Sequence, residues 1–434
     1  MVELDVLEKI LQLAAGRTDS AEVYYLSSQG RPVQFENNRL KSLETRALSG
    51  VALRVIAAGR MGFASSTDLT RLEDLVEAAV QTATIGEPAE ISFAEQTHLS
   101  QASPEVVAPA NDDLVAAGEA LIAQVHAYNP EILVDVGFNL QQGRVAILTS
   151  GGSLATHQSQ YLSTSLSGNL VRGEDFLQIY TYQVTGGEVA DYESLVQNLI
   201  RKYTWAETTT AVSARTLPVL LTPRAVAGVL GGLFETILSG QAIVQQASPL
   251  VGKLGETLFD PRFTLREDPT LGLAARAFDD EATPTQVKAL IEAGTVQGFY
   301  WDRLWAARAG EQSTGNGYRG GLSRPGPELA NLVIDRGVTP YADLIRSMDE
   351  GLIVDQVLGA GQSNQLAGEF SVNLDLGYRV VQGEIVGRVK NTMVAGNIFE
   401  AFQAIRDFSL EQEWVGASVL TPAILFDQLG IAAG

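Results

Sequence analysis

The sequence predicts an α+β fold in two domains, and three observations carry that expectation. Long stretches alternate polar and apolar residues in the manner of antiparallel strands. Helical stripes, apolar at three- to four-residue spacing, collect beside those strands instead of alternating with them one for one. Glycine occurs 42 times in 434 residues without a collagen-like period, which marks many turns between short strands.

Residues 2–15 read as an amphipathic helix, with Leu7, Ile10, Leu11 and Ala14 on one stripe and Gly16 as its stop. "AEVYYLSS" (21–28) and residues 31–66 follow as antiparallel strands, with turns at Asn37-Asn38, Ser49-Gly50 and Gly59-Arg60. A helix over about 70–83 carries the stripe Leu72, Leu75, Val76 and Val80, and Thr70 and Glu73 have capping-box spacing. The Pro/Ala/Glu-mixed stretch 84–111 reads as a long surface connection, and a helix over 112–127 ends at Asn129-Pro130. The strands "ILVDVGFNL", "RVAILTS", "ATHQSQYLSTSLSGNLV" and "FLQIYTYQV" and a helix over 191–203 complete this half.

A Thr/Ala/Pro-rich shift at 206–223 divides the chain into an N-terminal α+β domain, residues 1–210, and a C-terminal domain, residues 211–434. The second domain opens with a strand (217–221) and a core helix striped by Val226, Leu230, Leu233 and Ile237. Gly231 and Gly232 interrupt that helix at a cost of roughly 1 kcal/mol each relative to alanine. One account of the pair is packing, since small residues let another backbone approach closely. Helices near 284–294, 340–350 and 397–407 and short strands over 352–394 complete the reading.

Composition excludes several function classes. With 45% hydrophobic and 19% charged residues the chain can bury a sizeable core. A net charge of −21, with no Lys/Arg-rich run, opposes nucleic-acid binding, which rests on cations neutralising phosphates. The absence of cysteine removes disulfides, thiolate nucleophiles and cysteine-containing zinc sites. The start "MVELDVLEKILQLAAG" lacks the basic and apolar regions of a signal peptide, and no apolar run approaches the roughly 20 residues of a membrane span. A cytoplasmic protein without membrane partners is the expectation.

The motifs are sparse. "GNGYRG" (315–320) matches a dinucleotide fingerprint in letters, but helix and loop precede it and "GLSRPGP" follows, so it reads as a structural glycine loop. No Walker loop or G-x-S-x-G elbow occurs. His98, His126 and His157 have no partner at ligand spacing and read as surface or internally satisfied histidines. In "FDDEATP" (278–284), Asp279, Asp280 and Glu281 precede an expected helix and read as dipole-complementing caps, with a weak divalent-cation contact as the alternative. Arg319 and Arg324 flank a Gly/Pro loop as solvated or interface arginines, or as receivers of a peptide carboxylate. No catalytic constellation is visible.

Several segments together resemble the TldD/PmbA family, whose members were once called modulators of DNA gyrase. They are "AEVYYLSSQGRPVQFENNRLKSLETRALSGVALRVIAAGRMGFASSTDL", "SPLVGKLGETLFDPRFTLREDP", "FDDEATPTQVKALIEAGTVQGFYWD", "STGNGYRGG", "DEGLIVDQVLGAGQSNQLAGEFSVNLDLGYRVVQGEI" and "VAGNIFEAFQAI". The resemblance runs in order along nearly the whole chain. It implies an N-terminal antiparallel sheet with flanking helices and a C-terminal strand-rich, barrel-like domain, the counterpart of the TldD metallopeptidase domain.

The TldD branch carries HExxxH on a helix, its histidines binding a metal and its glutamate serving as general base. The PmbA branch, also called TldE, lacks that motif and pairs with TldD to cleave unfolded peptides. On the family frame, with Ser248 opening the following loop, Gly231, Gly232 and Thr236 stand at the motif's positions. Glycine offers no ligand atom, threonine is a poor zinc ligand, and the later cysteine ligand of the TldD type is missing. "STGNGYRGG" also favours the PmbA side.

The resemblance therefore implies a PmbA/TldE-type subunit with no catalytic residue and no cofactor of its own, beside a TldD-like partner that holds zinc. It implies peptide or partner contacts at Ser313, Thr314, Gly315, Asn316 and Arg319, with an extended peptide bound by strand addition. A homodimer of the isolated chain stays open. Two other readings remain: an independent homodimeric hydrolase using Asp279, Asp280 and Glu281, and a protein-binding regulator of DNA gyrase.

Overall fold

A computed structural model describes residues 2–102, 107–360 and 364–433. Its architecture is α+β, and packing groups the chain into two compact units. The first takes the chain up to Val196 together with two later segments, Arg276–Gln286 and Trp301–Glu328. The second takes Gln197–Ala275, Val287–Tyr300 and Leu329 onward. Compactness thus groups residues differently from a single cut of the sequence. No composition shift marks the two returning segments.

In the first unit, α1 (Val2–Ala14) precedes β1 (Ser20–Glu36), β2 (Arg39–Leu43), β3 (Arg46–Ala57) and β4 (Arg60–Ser66). Then come α2 (Leu72–Ile85), β5 (His98–Gln101), α3 (Asn111–Tyr128), β6 (Leu133–Thr149), β7 (Leu154–Arg172), β8 (Asp175–Thr185) and the start of α4 (Tyr192–Ala206). The sheet order is β4-β3-β1-β6-β7-β5, with β2 added to β1 and β8 to β7. The long strands change neighbours along their length. β1 pairs with β3 through Gly30 and with β2 from Val33 on, while β7 pairs with β5 near Leu154 and with β8 from Leu162 on.

Side-chain alternation decides what each face meets. Val23, Tyr25, Val51, Leu53 and Val55 pack under α1 and α2 through Leu7, Ile10, Leu75 and Val76. The intervening Tyr24 and Ala52 point to the other face, where Phe278 and Ala282 of the first returning segment cover them. α3 lies over the far half of the sheet, and Gly118 makes that approach: a Cβ there would stand 2.3 Å from the Phe35 ring. The expected capping box of α2 does not form. Arg71 stands at the N-cap without a side-chain bond, and Asp68 takes the Thr70 amide and hydroxyl instead.

The second unit contains a closed five-stranded barrel. Its strands are β9 (Arg215–Leu221), β10 (Glu350–Leu358), β11 (Glu369–Val381), β12 (Thr392–Asn397) and β13 (Val419–Ala433). β9 pairs in parallel with β10, and antiparallel pairs from β10 through β11, β12 and β13 return to β9. Closure leaves these strands no free edge within the ring. Val219, Leu352, Val372, Val394 and Phe426 belong to one large core, together with Phe234, Phe259, Phe263 and Phe402.

Three expected helices change. The segment near 284–294 is a strand pair, Lys288–Glu292 with Thr295–Val296, turned at Ala293 and Gly294 with positive φ. Leu290 and Ile291 are both fully buried, so sheet pairing overrides the helix propensity of its Lys, Ala and Glu. The helix near 397–407 is one turn, Ile398–Ala401, before a strand at Ile405–Val415, and that near 340–350 is Tyr341–Arg346. Among the described residues no helix is long and apolar enough to cross a membrane.

Gly118→Val replaces a poor helix former with a better one, yet its branches would enter the Phe35 ring. The expected outcome is a net loss of about 2 kcal/mol, the typical cost of overpacking, read from urea unfolding midpoints.

Candidate functional site

The helix after β9 starts from a built N-terminus. The Thr222 hydroxyl oxygen accepts the Ala225 N–H at 3.3 Å and Pro223 occupies the first turn. The helix runs through Pro223–Val226, widens into a π-turn at Ala227–Gly231, and returns to α geometry at Gly232–Leu238. Leu230, Leu233, Phe234 and Ile237 face the core with no exposed surface. At its far end, Ser248 donates to the Ile237 carbonyl at 2.6 Å and accepts the Leu250 N–H.

Gly231 and Gly232 have ordinary right-handed helical angles, so conformation does not require glycine there. Packing does not require it either. A Cβ on Gly231 would meet nothing within 4 Å, and one on Gly232 only the Gln365 amide nitrogen at 3.8 Å. The close-approach account of the pair finds no support among the described residues, none of which presses a backbone on it. Thr236 donates to the Gly232 carbonyl at 2.7 Å, with Gln365 Oε1 at 3.2 Å. Two residues without a side-chain donor atom and a hydroxyl engaged within its own helix do not fit a zinc ion.

The other expected site residues lie in the first unit, inside its packing. Ser313 and Thr314 donate to the Trp301 carbonyl, and Thr314 also meets Asn316 Oδ1 at 2.6 Å. Asn316 is fully buried and donates to the Glu328 carbonyl at 2.8 Å. Gly315 has φ +75° with Pro284 O 2.5 Å from its notional Cβ. This loop is a scaffold that holds the two returning segments together.

The helix expected directly after the three acidic residues does not form, and only Glu281 meets a helix end, that of the distant Arg303–Ala309. Asp279 accepts the amides of Glu281, Thr283 and Gly317. Asp280 accepts Arg276 Nη2 at 2.7 Å and the Arg319 amide at 3.0 Å. Glu281 accepts Arg54 Nη1 at 2.8 Å and the Arg303 amide at 2.9 Å.

Arg54 and its partners form a cluster that the motif reading missed. Glu22 on β1 and Arg54 on β3 stand directly opposite in the register, and Arg54 holds both Glu22 oxygens at 2.8 Å. Arg54 reaches Glu281 with its other nitrogen, and Arg319 Nη2 joins Glu22 at 2.6 Å. Arg319 also lies over the Tyr24 ring at 4.6 Å, so its guanidinium is spent inside the unit. A signal did exist. Glu22 and Arg54 each interrupt an apolar strand, and a charge in a strand buried on both faces needs a partner.

Burial raises the Glu22 carboxyl, but Arg54 and Arg319 outweigh it and hold the group below its ordinary range. Asp302 goes the other way: burial and the Glu281 charge push it up to about 7, although it accepts the Trp305 amide. Asp279 is also raised, by burial and then Glu281, against its three amide donors.

The histidines are dispersed. His98 lies in β5, His126 bonds Asn38 and the Ile132 carbonyl, and His157 is buried edge-on to Phe278, its ring lowered to about 4 by burial and then Arg276. Among the described residues no group of three or more His, Asp or Glu side chains is placed to hold a metal ion.

Arg54→Met leaves Glu22 and Glu281 buried without their shared cation, and the expected loss is about 3–5 kcal/mol in urea unfolding. Asp302 provides a pH test. Its folded state holds a proton more tightly than the unfolded chain, so its contribution is full below about pH 4 and lost as pH rises through about 7. Asparagine also caps well. Asp302→Asn should gain on the wild type by on the order of 2 kcal/mol between pH 4 and 8, and parallel stability curves would contradict the assignment.

Comparison with known proteins agrees with this architecture. Residues 214–433 match the family described as "PmbA/TldA metallopeptidase C-terminal domain", and residues 21–83 match "PmbA/TldA metallopeptidase domain 1". An uncharacterized protein of Methanocaldococcus jannaschii is 26% identical over 427 residues, 97% of this chain and 98% of that protein. Metalloprotease PmbA of Escherichia coli O157:H7 is 26% identical over 423 residues, covering 92% of this chain and 90% of that one. The crystal structure of TldE from Thermococcus kodakarensis superposes with a TM-score of 0.88 at 26% identity, covering 99% of this chain and 100% of that chain. With the C-terminal match spanning the barrel and the helix that bears Gly231 and Gly232, the chain belongs to the PmbA/TldD family.

Proposed function

We propose that this chain is the PmbA/TldE-type, non-catalytic subunit of a cytoplasmic peptidase complex. In that complex it pairs with a TldD-like subunit carrying zinc, and the pair cleaves unfolded peptides. One observation carries the reading. The helix Gly232–Leu238 is well packed on its inward face, and on the family frame Gly231, Gly232 and Thr236 correspond to the positions of the TldD-branch metal motif. Neither backbone angles nor neighbouring atoms of the described residues call for glycine at 231 and 232. The lost side chains are explained by chemistry that the partner performs.

The independent-hydrolase reading has less support. It would draw on Asp279, Asp280 and Glu281, which are buried and already accept internal donors. For a regulator in direct contact with DNA, the charge of −21 is unfavourable.

Purified alone, the chain is expected to leave casein and unstructured peptides intact and to carry no stoichiometric zinc. Mixed with a homologue bearing HExxxH, cleavage should appear and a chelator should stop it. Chelator-resistant cleavage by the chain alone would overturn the proposal. A Gly231→His, Gly232→Glu, Thr236→His triple variant should still be inactive alone, because the TldD-type cysteine ligand is missing as well.

A further inference from the structure

The outer face of the first unit's sheet, opposite α3, carries a trough of about 220 Å³ lined by Gln34, Glu36, Lys41, Asp135, Ser165 and Ser167. Strand register builds it. Asp135 on β6, Ser167 on β7 and Tyr180 on β8 stand in one row, and Gly137, Ser165 and Tyr182 form the next. Residues opposite one another across antiparallel strands share a face with Cβ atoms about 5 Å apart. Ser167 is the small member of its row and leaves a gap between a carboxylate and an aromatic ring. Gly137 floors the neighbouring row, where a Cβ would stand 2.7 Å from Ser165 Oγ. Tyr180 is 38% exposed, and its ring stacks with Tyr182 at an interplanar angle of 20°.

The charge of the trough is set by Asp135, Glu36 and Lys41. Asp135 is held by the Asn37 amide at 2.8 Å and by Asn169 Nδ2 at 3.0 Å, which fixes its position. Glu36 already has Lys41, so the trough carries one net negative charge, on Asp135. A positively charged donor matches that charge, and Tyr180 stands next to Ser167 in the register.

We propose that the Asp135–Ser167–Tyr180 row seats a cationic side chain, arginine or lysine, of an extended peptide. A cation above Ser167 lies between the Asp135 carboxylate on one side and Tyr180 on the other. This rests on the reading of the chain as a peptide-handling subunit and adds to it a side-chain preference away from the helix that bears Gly231 and Gly232.

The test measures binding of this chain alone, by fluorescence anisotropy at low salt, to a labelled Gly/Ser peptide with one central arginine. Its twin carries neutral citrulline instead. The arginine peptide should bind about tenfold more tightly, and added salt should shrink the difference. Ser167→Leu fills the gap and should abolish the preference, Ser167→Ala should retain it, and Tyr180→Ala should reduce it. Equal binding of the twins, or a preference that survives Ser167→Leu in a folded variant, overturns the proposal. Cleavage in the mixture with the metal-bearing homologue is scored separately. An arginine preference without cleavage sinks the proposed function and not the seat, whereas cleavage without the preference does the reverse.

Discussion

The first unit depends on one guanidinium. Arg54 sits on the sheet face away from α1 and α2, binds both oxygens of Glu22 across the strand pair, and reaches Glu281 on a returning segment. Burying such a group is expensive unless its donors and the opposing charges are all matched. That requirement places the second carboxylate and the second guanidinium, Arg319, and with them the loops that carry both. Hydrophobic contact of Phe278 and Ala282 with the same face would hold those segments in many registers. The ion pairs select one.

The second unit is organised by closure. Five strands return upon themselves, so the ring needs no outside strand to satisfy its backbone, and the helix after β9 can be fastened to one large core. A helix held in this way by Leu230, Leu233, Phe234 and Ile237 keeps its place whatever its outward residues are. This is the physical reason the outward positions of the helix are free to vary without moving it. Stability rests on the inward face, and Gly232 and Thr236 are spared from that task.

Much of the fold was legible because it follows from periodicity. The antiparallel strands of the first 66 residues, the helices near 72–85 and 111–128, and the helix opening the second half all show their buried faces in the sequence. The family resemblance added the barrel, which no local pattern reveals. Legibility failed where local propensity and tertiary pairing conflict. Lys288–Glu292 has helix-forming residues, yet it lies in a sheet because Leu290 and Ile291 are both buried there. The acidic run at Asp279 looked like a cap because its partners, Gly317, Arg319 and Arg54, are far away in the chain. Arg319 looked available for a ligand, and Glu22 had already claimed it.

By itself the sequence determined chemistry that no folding can alter: no thiolate, no ligand atom at positions 231 and 232, and a strongly acidic balance. It also determined the periodic elements, since burial of one face must be written into spacing. Only the tertiary structure decided which charges neutralise one another and that two later segments pack into the first unit. It also decided that no described atom crowds the paired glycines. Each of these depends on contacts between residues hundreds of positions apart, such as Arg54 with Glu281, and such contacts leave no periodic trace in the chain.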